Sequence, residues 1–385
     1  GVDPDARIHN LSVGEQQRVE IVRCLLQDPS LLIMDEPTSV LTPQETEQLF
    51  DVLRRFSKAG VAILFISHKL EEIRSLTRRA TVLRRGRNVG TVESASRSSK
   101  QLAEMMVGSS VGDIDGQGAP KSEPDVLFAV RGLDRPPATP FATPLRNLSF
   151  VARAGEVLGI AGIAGNGQDE LMEALTGEWT GAGQNVITIN GQDITRDGPS
   201  RRRQHSIGFV PEERNGHAAV PGMSLADNAL LTSHSLGEVA SRGVIDSDRT
   251  RQMAAEIASA FDVRLPQENP MASALSGGNL QKFVVGREIS KQPSLFIVSQ
   301  PTWGVDVGAA LFIRRAMLEL AESGSAVVMI SQDLEEIFAI SHRVAVLHDG
   351  QMSEPMVTAD TTAETVGLLM GGSVPLKTAG AGDAA

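Results

Sequence analysis

The sequence predicts an α/β fold made of two tandem domains, each built on a mostly parallel sheet. The first observation is an internal repeat, because residues 275–282 read LSGGNLQK and lie 264 positions after LSVGEQQR at residues 11–18. The offset continues without a gap for about a hundred residues, which chance does not produce. The second observation is the alternation of short apolar runs with segments of helical period. A repeat of this length has the size of a domain, not of a solenoid unit.

Five short apolar runs are predicted to form buried strands of the two sheets. These runs are residues 31–34, 61–66, 157–160, 295–298 and 326–330. Segments of helical period, such as residues 44–56 and 309–321, alternate with them. This order is typical of doubly wound sheets, which bind their ligands at the carboxyl ends of the strands.

Composition narrows the function classes. The net charge is −11 and the isoelectric point is near 5.2, so a broad positive field for nucleic acid is missing. The single cysteine, Cys24, excludes an internal disulfide framework and a zinc cluster of cysteines, which favours a reducing compartment. No apolar run approaches the ~18 residues of a membrane span. We therefore expect any membrane role to come through a partner.

A glycine-rich loop follows the strand prediction at residues 157–160 and precedes a helical segment. The loop contains Gly162, Gly165, Asn166 and Gly167, followed by Gln168 and Asp169. Its glycines allow successive backbone N–H groups to converge on an anion at a helix N-terminus. The Walker pattern has a lysine and a hydroxyl residue at the last two positions. We therefore expect a phosphate-binding loop without its usual cation and without its magnesium-binding hydroxyl.

Two adjacent carboxylates, Asp35 and Glu36, follow the strand prediction at residues 31–34. One carboxylate at such a strand end can hold Mg²⁺ and the other can act as a base. At the same offset the second copy has Ser299 and Gln300. The two copies are therefore predicted to differ in chemistry, because an amide does not accept a proton at neutral pH.

A histidine, His68, follows the next strand of the first copy, and Gln332 takes its place in the second copy. A lone histidine at a strand end is more often a structural residue. Its position among the other motifs favours a functional role here.

Taken together, these residues resemble the ATP-binding cassette ATPases of ABC transporters. The signature, the two carboxylates of the Walker B motif, the D-loop at residues 304–306 and the switch histidine occur in the family's order. The phrases at residues 35–45, 165–168 and 300–304 resemble, more narrowly, the fused double-cassette subunit of bacterial importers for simple sugars and nucleosides. The resemblance implies two tandem P-loop NTPase-type domains, each with a mostly parallel sheet core and a helical subdomain.

The resemblance also implies domain limits. Residues 1–112 correspond to the C-terminal part of the first ABC ATPase domain, with its signature, Walker B motif, D-loop and H-loop. Residues 113–124 correspond to a linker, 125–377 to a second, complete but degenerate domain, and 378–385 to a flexible tail. About 140 residues of the first domain are expected upstream, by comparison with the second copy.

In this family two cassettes pack head to tail, and each ATP lies between the Walker motifs of one cassette and the signature of the other. One site would join Asp35, Glu36 and His68 to Ser276, Gly277, Gly278, Asn279 and Asp306. The other would join Gly162, Gly165, Asn166, Gly167 and Gln168 to Ser12 and Gly14. The implied roles are Mg²⁺ binding for Asp35, polarisation of the attacking water for Glu36 and sensing of the γ-phosphate for His68.

The expected partners are integral-membrane permease subunits and, indirectly, an extracytoplasmic solute-binding protein, with no nucleic acid. The expected location is the cytoplasmic face of the bacterial membrane. Two alternatives remain open: a double-cassette protein outside transport, such as a translation factor, a DNA-repair ATPase or a regulatory ATPase, or an inert truncated gene product. Membrane subunits would recruit an importer component, whereas a translation factor would sediment with ribosomes.

Two smaller expectations concern charged residues. The run from Arg201 to Arg203 is predicted to be a solvated face, not an anion site. Glu212 occupies the region that resembles the Q-loop, where the family has glutamine.

Overall fold

The computed structural model describes residues 13–38, 41, 43–67, 69–84, 86–107, 125–139, 142–236, 239–241, 244–372, 374 and 376. The chain divides into two compact units, Gly1–Asp113 and Ile114–Ala385. Ser12, His68, the predicted linker at 113–124 and the predicted tail at 378–385 lie outside the described residues.

The first unit alternates helices and strands. Its elements are α1 (Val13–Leu25), β1 (Leu31–Asp35), α2 (Pro43–Lys58), β2 (Ala62–Ile66), α3 (Leu70–Leu76), β3 (Arg79–Arg84), β4 (Arg87–Glu93) and α4 (Ser99–Val107). Strands β1 and β2 pair in parallel, and β3 and β4 form an antiparallel pair. One face of β1 packs on α2, and its small core consists of Leu32, Met34, Leu49, Phe50 and Leu53.

The second unit starts with an antiparallel sheet and continues into a parallel one. Its strands are β5 (Val126–Arg135), β6 (Leu145–Arg153), β7 (Val157–Ala161), β8 (Ile187–Ile189), β9 (Gln192–Asp193), β10 (Ile207–Val210), β11 (Ala240–Ser241), β12 (Val244–Ile245), β13 (Leu295–Ser299), β14 (Ala326–Ser331), β15 (Arg343–His348), β16 (Gln351–Met352) and β17 (Met356–Val357). Its helices are α5 (Gln168–Thr176), α6 (Pro199–Gln204), α7 (Leu225–Ser233), α8 (Ser247–Ala260), α9 (Gly277–Ile289), α10 (Val307–Glu322), α11 (Leu334–Ile340) and α12 (Ala363–Met370).

The main sheet of the second unit has the order β10-β13-β14-β7-β15-β16, with β17 also paired to β15. Strands β10, β13, β14, β7 and β15 are parallel neighbours, so their carboxyl ends meet at one edge. The antiparallel sheet has the order β6-β5-β8-β9. The five strands and two helices predicted from apolar patterning are all present. None of the helices in the described ranges is both long and apolar enough to cross a bilayer.

The two units share element boundaries at the sequence offset of 264 residues. Helices α1 and α9, strands β1 and β13, and helices α2 and α10 begin and end at equivalent positions. The register is also the same, since Leu31 pairs with Ala62 in the first unit and Leu295 with Ala326 in the second.

The prediction that residues 31–34 and 61–66 form buried strands is wrong for one face of β1 and β2 in the first unit. Leu31, Ile33, Leu64 and Ile66 are 54%, 60%, 52% and 44% exposed. Their equivalents Leu295, Ile297, Val328 and Ile330 are all fully buried in one core cluster of the second unit. That cluster draws on β5, β6, β7 and α5, and the described residues of the first unit contain no counterpart of these elements. The apolar pattern therefore predicts the strands correctly. The elements that bury the equivalent face in the second unit have no counterpart among the described residues of the first unit.

Candidate functional site

The glycine-rich loop lies at the carboxyl edge of the main sheet, between β7 and α5. Gly165 and Gly167 adopt φ angles of +86° and +108°, which side chains with a Cβ rarely tolerate. Gly167 is the N-cap of α5, so the loop leads directly into a helix N-terminus. The backbone thus has the shape of an anion-binding loop.

The side chain of Gln168 folds back into this loop instead of pointing to solvent. It is 5% exposed. Its Nε2 donates to the carbonyl of Ile163 at 2.7 Å, and its Oε1 accepts from the backbone N–H of Asn166 at 3.0 Å. A Cβ added to Gly162 would lie 2.4 Å from Gln168 Nε2, so the amide occupies the space that this glycine leaves open.

The loop is also tied to the turn after β15. Asn166 Oδ1 accepts from the backbone N–H of Asp349 at 2.8 Å, and the Asn166 carbonyl accepts from Gly350 at 3.0 Å. Thr143 Oγ1 donates to the Gly165 carbonyl at 2.7 Å. These bonds restrain the loop from several sides.

Carboxylates replace the usual neutral groups beside the loop. Desolvation, followed by repulsion from Glu170 and Glu173, raises the pKa of Asp169. Desolvation and the charge of Asp169 raise the pKa of Glu212 to about 7. Asp169 and Glu212 therefore repel each other, and further negative charge at this place is disfavoured.

Strand β13, which β14 separates from β7 in the main sheet, ends at Ser299 and is followed by Gln300. Gln300 has a φ angle of +49°, and its backbone N–H donates to the Ile330 carbonyl at 2.8 Å. Its Oε1 accepts from the backbone N–H of Gln332 at 3.3 Å. Its Nε2 is buried without a hydrogen-bond partner in the described part of the chain. A hydroxyl and an amide are poor ligands for Mg²⁺ compared with carboxylates, so this strand end does not fit the metal.

The equivalent strand end of the first unit carries carboxylates. Glu36 has a φ angle of +46°, and its N–H donates to the Ile66 carbonyl at 2.9 Å, as in the second unit. The side chain of Asp35 is exposed at the end of β1. Its oxygen donors and its access to solvent fit Mg²⁺, which usually takes one or two carboxylates plus phosphate and water. The described residues contain no group of three or more His, Cys, Asp or Glu side chains that could hold a metal ion.

Both units support this strand end with a buried glutamate. Thr38 Oγ1 donates to Glu72 Oε2 at 2.8 Å, and Ser67 Oγ donates to the same oxygen at 3.3 Å. In the second unit Ser331 Oγ donates to Glu336 Oε2 at 2.8 Å. Burial raises the pKa of both glutamates. The scaffold under the site is thus the same in both units, and the difference lies in the residues presented on it.

The second signature lies at the N-terminus of α9. Ser276 is the N-cap, and its Oγ accepts from Asn279 Nδ2 at 2.9 Å. Asn279 Oδ1 accepts from the backbone N–H of Arg264 at 2.9 Å. Gly277 and Gly278 form the first turn, which leaves the backbone N–H groups of this helix end accessible from one side. Of the first signature, Gly14 lies within α1.

The D-loop contacts this signature. Asp306 is the N-cap of α10 and accepts from the N–H of Ala309 at 3.0 Å. A Cβ on Gly278 would lie 3.2 Å from Asp306 Oδ2, so the two predicted residues are close together.

Sequence reasoning missed Arg214 in this region. Its half-buried guanidinium lies against the signature and the D-loop, because a Cβ on Gly277 would be 2.8 Å from Nη1 and one on Gly304 would be 3.1 Å from Nη2. Burial lowers the pKa of Arg214. The only sequence signal was its place directly after Glu212 and Glu213, and that signal does not indicate a contact with α9.

The expectation of a solvated arginine run at 201–203 is confirmed for Arg201, whose side chain is 76% exposed, but is wrong for Arg202 and Arg203. Arg202 is fully buried and donates to the Ala174 and Leu175 carbonyls at 2.5 and 2.6 Å, at the C-terminal end of α5. Arg203 forms an ion pair with the buried Glu288 at 2.5 Å. Backbone carbonyls and a buried carboxylate replace the water that the sequence pattern led us to expect.

These features define an ATP-binding cassette: a parallel sheet, a glycine-rich loop at its carboxyl edge, and a signature at a helix N-terminus beside a D-loop. The chain belongs to the ABC transporter family, whose model matches residues 2–39 and 145–303.

Several curated relatives are similar over nearly the whole chain. The nucleoside import ATP-binding protein NupA of Lactococcus lactis subsp. cremoris is 41% identical over 97% of this chain and 73% of the relative. The glucose import ATP-binding protein TsgD13 of Haloferax volcanii is 42% identical over 99% of this chain and 69% of the relative. The guanosine import ATP-binding protein NupO of Bacillus subtilis is 38% identical over 97% of this chain and 72% of the relative.

Solved structures support the fold. An ATP-binding subunit of an ABC transporter aligns with a TM-score of 0.51 at 18% identity, over 64% of this chain and 99% of that one. The cassette MJ0796, in a dimeric post-hydrolysis state with ADP and Pi, aligns with a TM-score of 0.51 at 20% identity, over 60% of this chain and 99% of the cassette.

Proposed function

We propose that this chain is an ATP-binding subunit of an ABC importer for a nucleoside or a simple sugar. The observation that carries this proposal is the relation to import ATP-binding proteins at about 40% identity over nearly the full chain. Its partners are then integral-membrane permease subunits and, indirectly, an extracytoplasmic solute-binding protein. The subunit acts at the cytoplasmic face of the cell membrane.

The chain contains two cassettes that arose by tandem duplication. Three observations support this part of the proposal: the fixed sequence offset, the equal boundaries of the helices and strands, and the shared glutamate support under both strand ends. The linker at 113–124 and the tail at 378–385 complete the proposed organisation.

One composite ATP site of this subunit is competent and the other is degenerate. The competent site uses Asp35, Glu36 and His68 of the first cassette with the second signature and Asp306. When bound there, Mg²⁺ would neutralise charge on the phosphates, and Asp35 is the residue that would hold it. Glu36 orients the attacking water, and the N-terminus of α9 offers its backbone N–H groups to the phosphates.

In the proposed subunit, elements beyond those described in the first unit cover the exposed face of β1 and β2. The internal comparison supports this, because the equivalent face of the second unit is fully buried by β5, β6, β7 and α5. Without a phosphate loop for the competent site, this chain alone is expected to show little ATP turnover.

Membrane recruitment tests the transport proposal. We expect the tagged chain to co-fractionate with membranes only when the membrane subunits encoded beside its gene are co-expressed. A matched control omits those subunits and leaves the chain in the soluble fraction. Co-sedimentation with ribosomes in both conditions would instead favour a translation factor and contradict the proposal. If it associates with neither, the inert gene product is favoured.

A further inference from the structure

We propose that Gln168 closes the phosphate loop of the second cassette, so that this cassette contributes a signature to catalysis but holds no nucleotide of its own. The inference rests on the proposed function and deepens it, because it assigns a stoichiometry of one ATP to a subunit with two cassettes. It makes Gln168 a residue that decides against nucleotide binding.

The first argument is steric. Gln168 is only 5% exposed, because its side chain folds back into its own loop. The position of a Cβ on Gly162 is only 2.4 Å from Gln168 Nε2 and 2.8 Å from the Leu347 carbonyl. The amide therefore occupies the space between the loop and β15, and a phosphate group cannot enter until the amide leaves.

The second argument concerns hydrogen bonds. Gln168 Oε1 accepts from the Asn166 N–H, which is one of the backbone donors that such a loop offers to phosphate oxygens. A lysine at this position can donate to the Ile163 carbonyl, as Gln168 Nε2 does, but it has no acceptor atom for the Asn166 N–H. The Asn166 N–H also donates to the Ile163 carbonyl at 3.3 Å, and glutamine adds a bond to each of these two groups, which stabilises the empty loop.

The third argument is that the closed loop is held from outside. The N–H groups of Asp349 and Gly350 bond to the side-chain and backbone oxygens of Asn166, and Thr143 bonds to the Gly165 carbonyl. The Asn166 Nδ2 donates to the Ile163 carbonyl at 3.0 Å, the same oxygen that Gln168 uses. These contacts fix the Asn166 N–H in the direction of Gln168 Oε1.

The fourth argument is electrostatic. The loop carries no cation at position 168, and the next residue, Asp169, brings a carboxylate to the place of the usual hydroxyl. A triphosphate that displaced the Gln168 amide would break the two hydrogen bonds of that amide and would be repelled by the Asp169 carboxylate. The phosphate loop therefore has the backbone conformation of a nucleotide site, but its side chains at positions 168 and 169 disfavour a bound phosphate.

Binding of MgATP to the full chain tests the proposal, measured by isothermal titration calorimetry and by equilibrium dialysis with radiolabelled ATP. We expect no saturable binding to the unchanged chain at ATP concentrations up to about 1 mM. A dissociation constant of about 1 mM corresponds to a binding free energy of about −4 kcal/mol, so binding to the unchanged chain is weaker than that. Gln168→Ala removes the amide from the phosphate loop. We expect MgATP to bind this variant about 10- to 100-fold more tightly than the unchanged chain, because the two hydrogen bonds of the amide no longer have to be broken. Gln168→Lys should bind tighter still.

One further variant separates the effect of side-chain volume from that of hydrogen bonding. Gln168→Met keeps the volume of the side chain but removes both of its hydrogen bonds to the loop, and we expect the loop to remain closed if side-chain volume is what excludes the phosphate. Hydrogen exchange of peptides covering residues 157–176 shows whether bound ATP protects this loop. Tryptophan fluorescence of Trp179 confirms that each variant is folded.

Saturable MgATP binding to the unchanged chain, with protection of the loop, would overturn the proposal. Absence of binding in every variant would also overturn it, because Gln168 would then not be the residue that closes the loop. Neither result bears on membrane recruitment, so a failure here is distinguishable from a failure of the proposed function.

Discussion

The exposed face of β1 makes a quantitative prediction through a pair of equivalent isoleucines. Ile33 and Ile297 occupy the same position in the two copies, but Ile33 is 60% exposed and Ile297 is fully buried. Replacing Ile297 by alanine removes buried methyl and methylene groups and leaves a cavity, which costs about 3 kcal/mol. Replacing Ile33 removes mostly exposed surface and should cost about 0.5–1 kcal/mol. The loss of β propensity is shared by both variants and cancels in the comparison.

Hydrogen exchange at increasing urea concentration measures the two units separately, because peptides from each unit report their own free energy of unfolding. We expect Ile297→Ala to lower the unfolding free energy of the second unit about 2–3 kcal/mol more than Ile33→Ala lowers that of the first. Trp179 and Trp303 both lie in the second unit, so tryptophan fluorescence provides an independent measure for Ile297→Ala.

Equal costs for the two variants in this chain would refute the reasoning, since Ile33 would then already be covered. The same measurement extends to the complete subunit. There the cost of Ile33→Ala should rise to that of Ile297→Ala, because further elements bury this face in the proposed subunit. A cost that stayed near 0.5–1 kcal/mol would contradict the proposed cover.

Three further predictions concern single groups of the second unit. Gly350→Ala should be strongly destabilising, because its Cβ would lie 1.7 Å from the Pro144 carbonyl oxygen. The equivalent Gly86→Ala has no atom within 4 Å of its Cβ and should cost only about 1–2 kcal/mol for its positive φ. Thermal unfolding compares the two variants, and similar costs would contradict the clash at Gly350. Glu288→Gln should cost about 3–5 kcal/mol in urea unfolding, because it leaves the buried Arg287 and the partly buried Arg203 and Lys291 without their carboxylate. A loss below about 1 kcal/mol would refute this role. Glu212→Gln should stabilise the protein by about 1–3 kcal/mol at pH 8 but not at pH 4. The pKa of Glu212 in the folded protein is about 7, above its ordinary value of 4.5, so the stability of the unchanged protein falls as the pH rises between these values. An equal gain at both pH values would contradict this titration of Glu212.

Sequence patterning predicted the strands and the frame of the site well. Short apolar runs fixed the positions of β1, β7, β13 and β14 to within one residue, because both sheets place them in a core. The repeat placed the two strand ends with Asp35–Glu36 and Ser299–Gln300 at equivalent positions, whereas the glutamate under each strand end was found only in the structure. Local patterns and internal repetition are what a sequence records directly.

Long-range contacts account for what the sequence did not predict. The burial of Arg202 depends on carbonyl groups of α5 and of residues 194–197, which no charge pattern identifies. The position of Arg214 beside Gly277 depends on how α9 packs. The hydrogen bonds of the Gln168 side chain within its loop depend on its rotamer, whereas the sequence pattern indicated only the loss of a lysine. These features follow from tertiary structure and not from period or composition.

ATP turnover by the complete subunit, assembled with its permease, tests the central claim most directly. Glu36→Gln removes the predicted base of the competent site, whereas Gln300→Ala changes the equivalent position of the degenerate site. The account predicts that Glu36→Gln lowers turnover by about 10²–10⁴-fold while ATP still binds, and that Gln300→Ala leaves turnover within about twofold of wild type. Unchanged turnover in Glu36→Gln, or an equal loss in both variants, would contradict a single hydrolytic site at the end of β1.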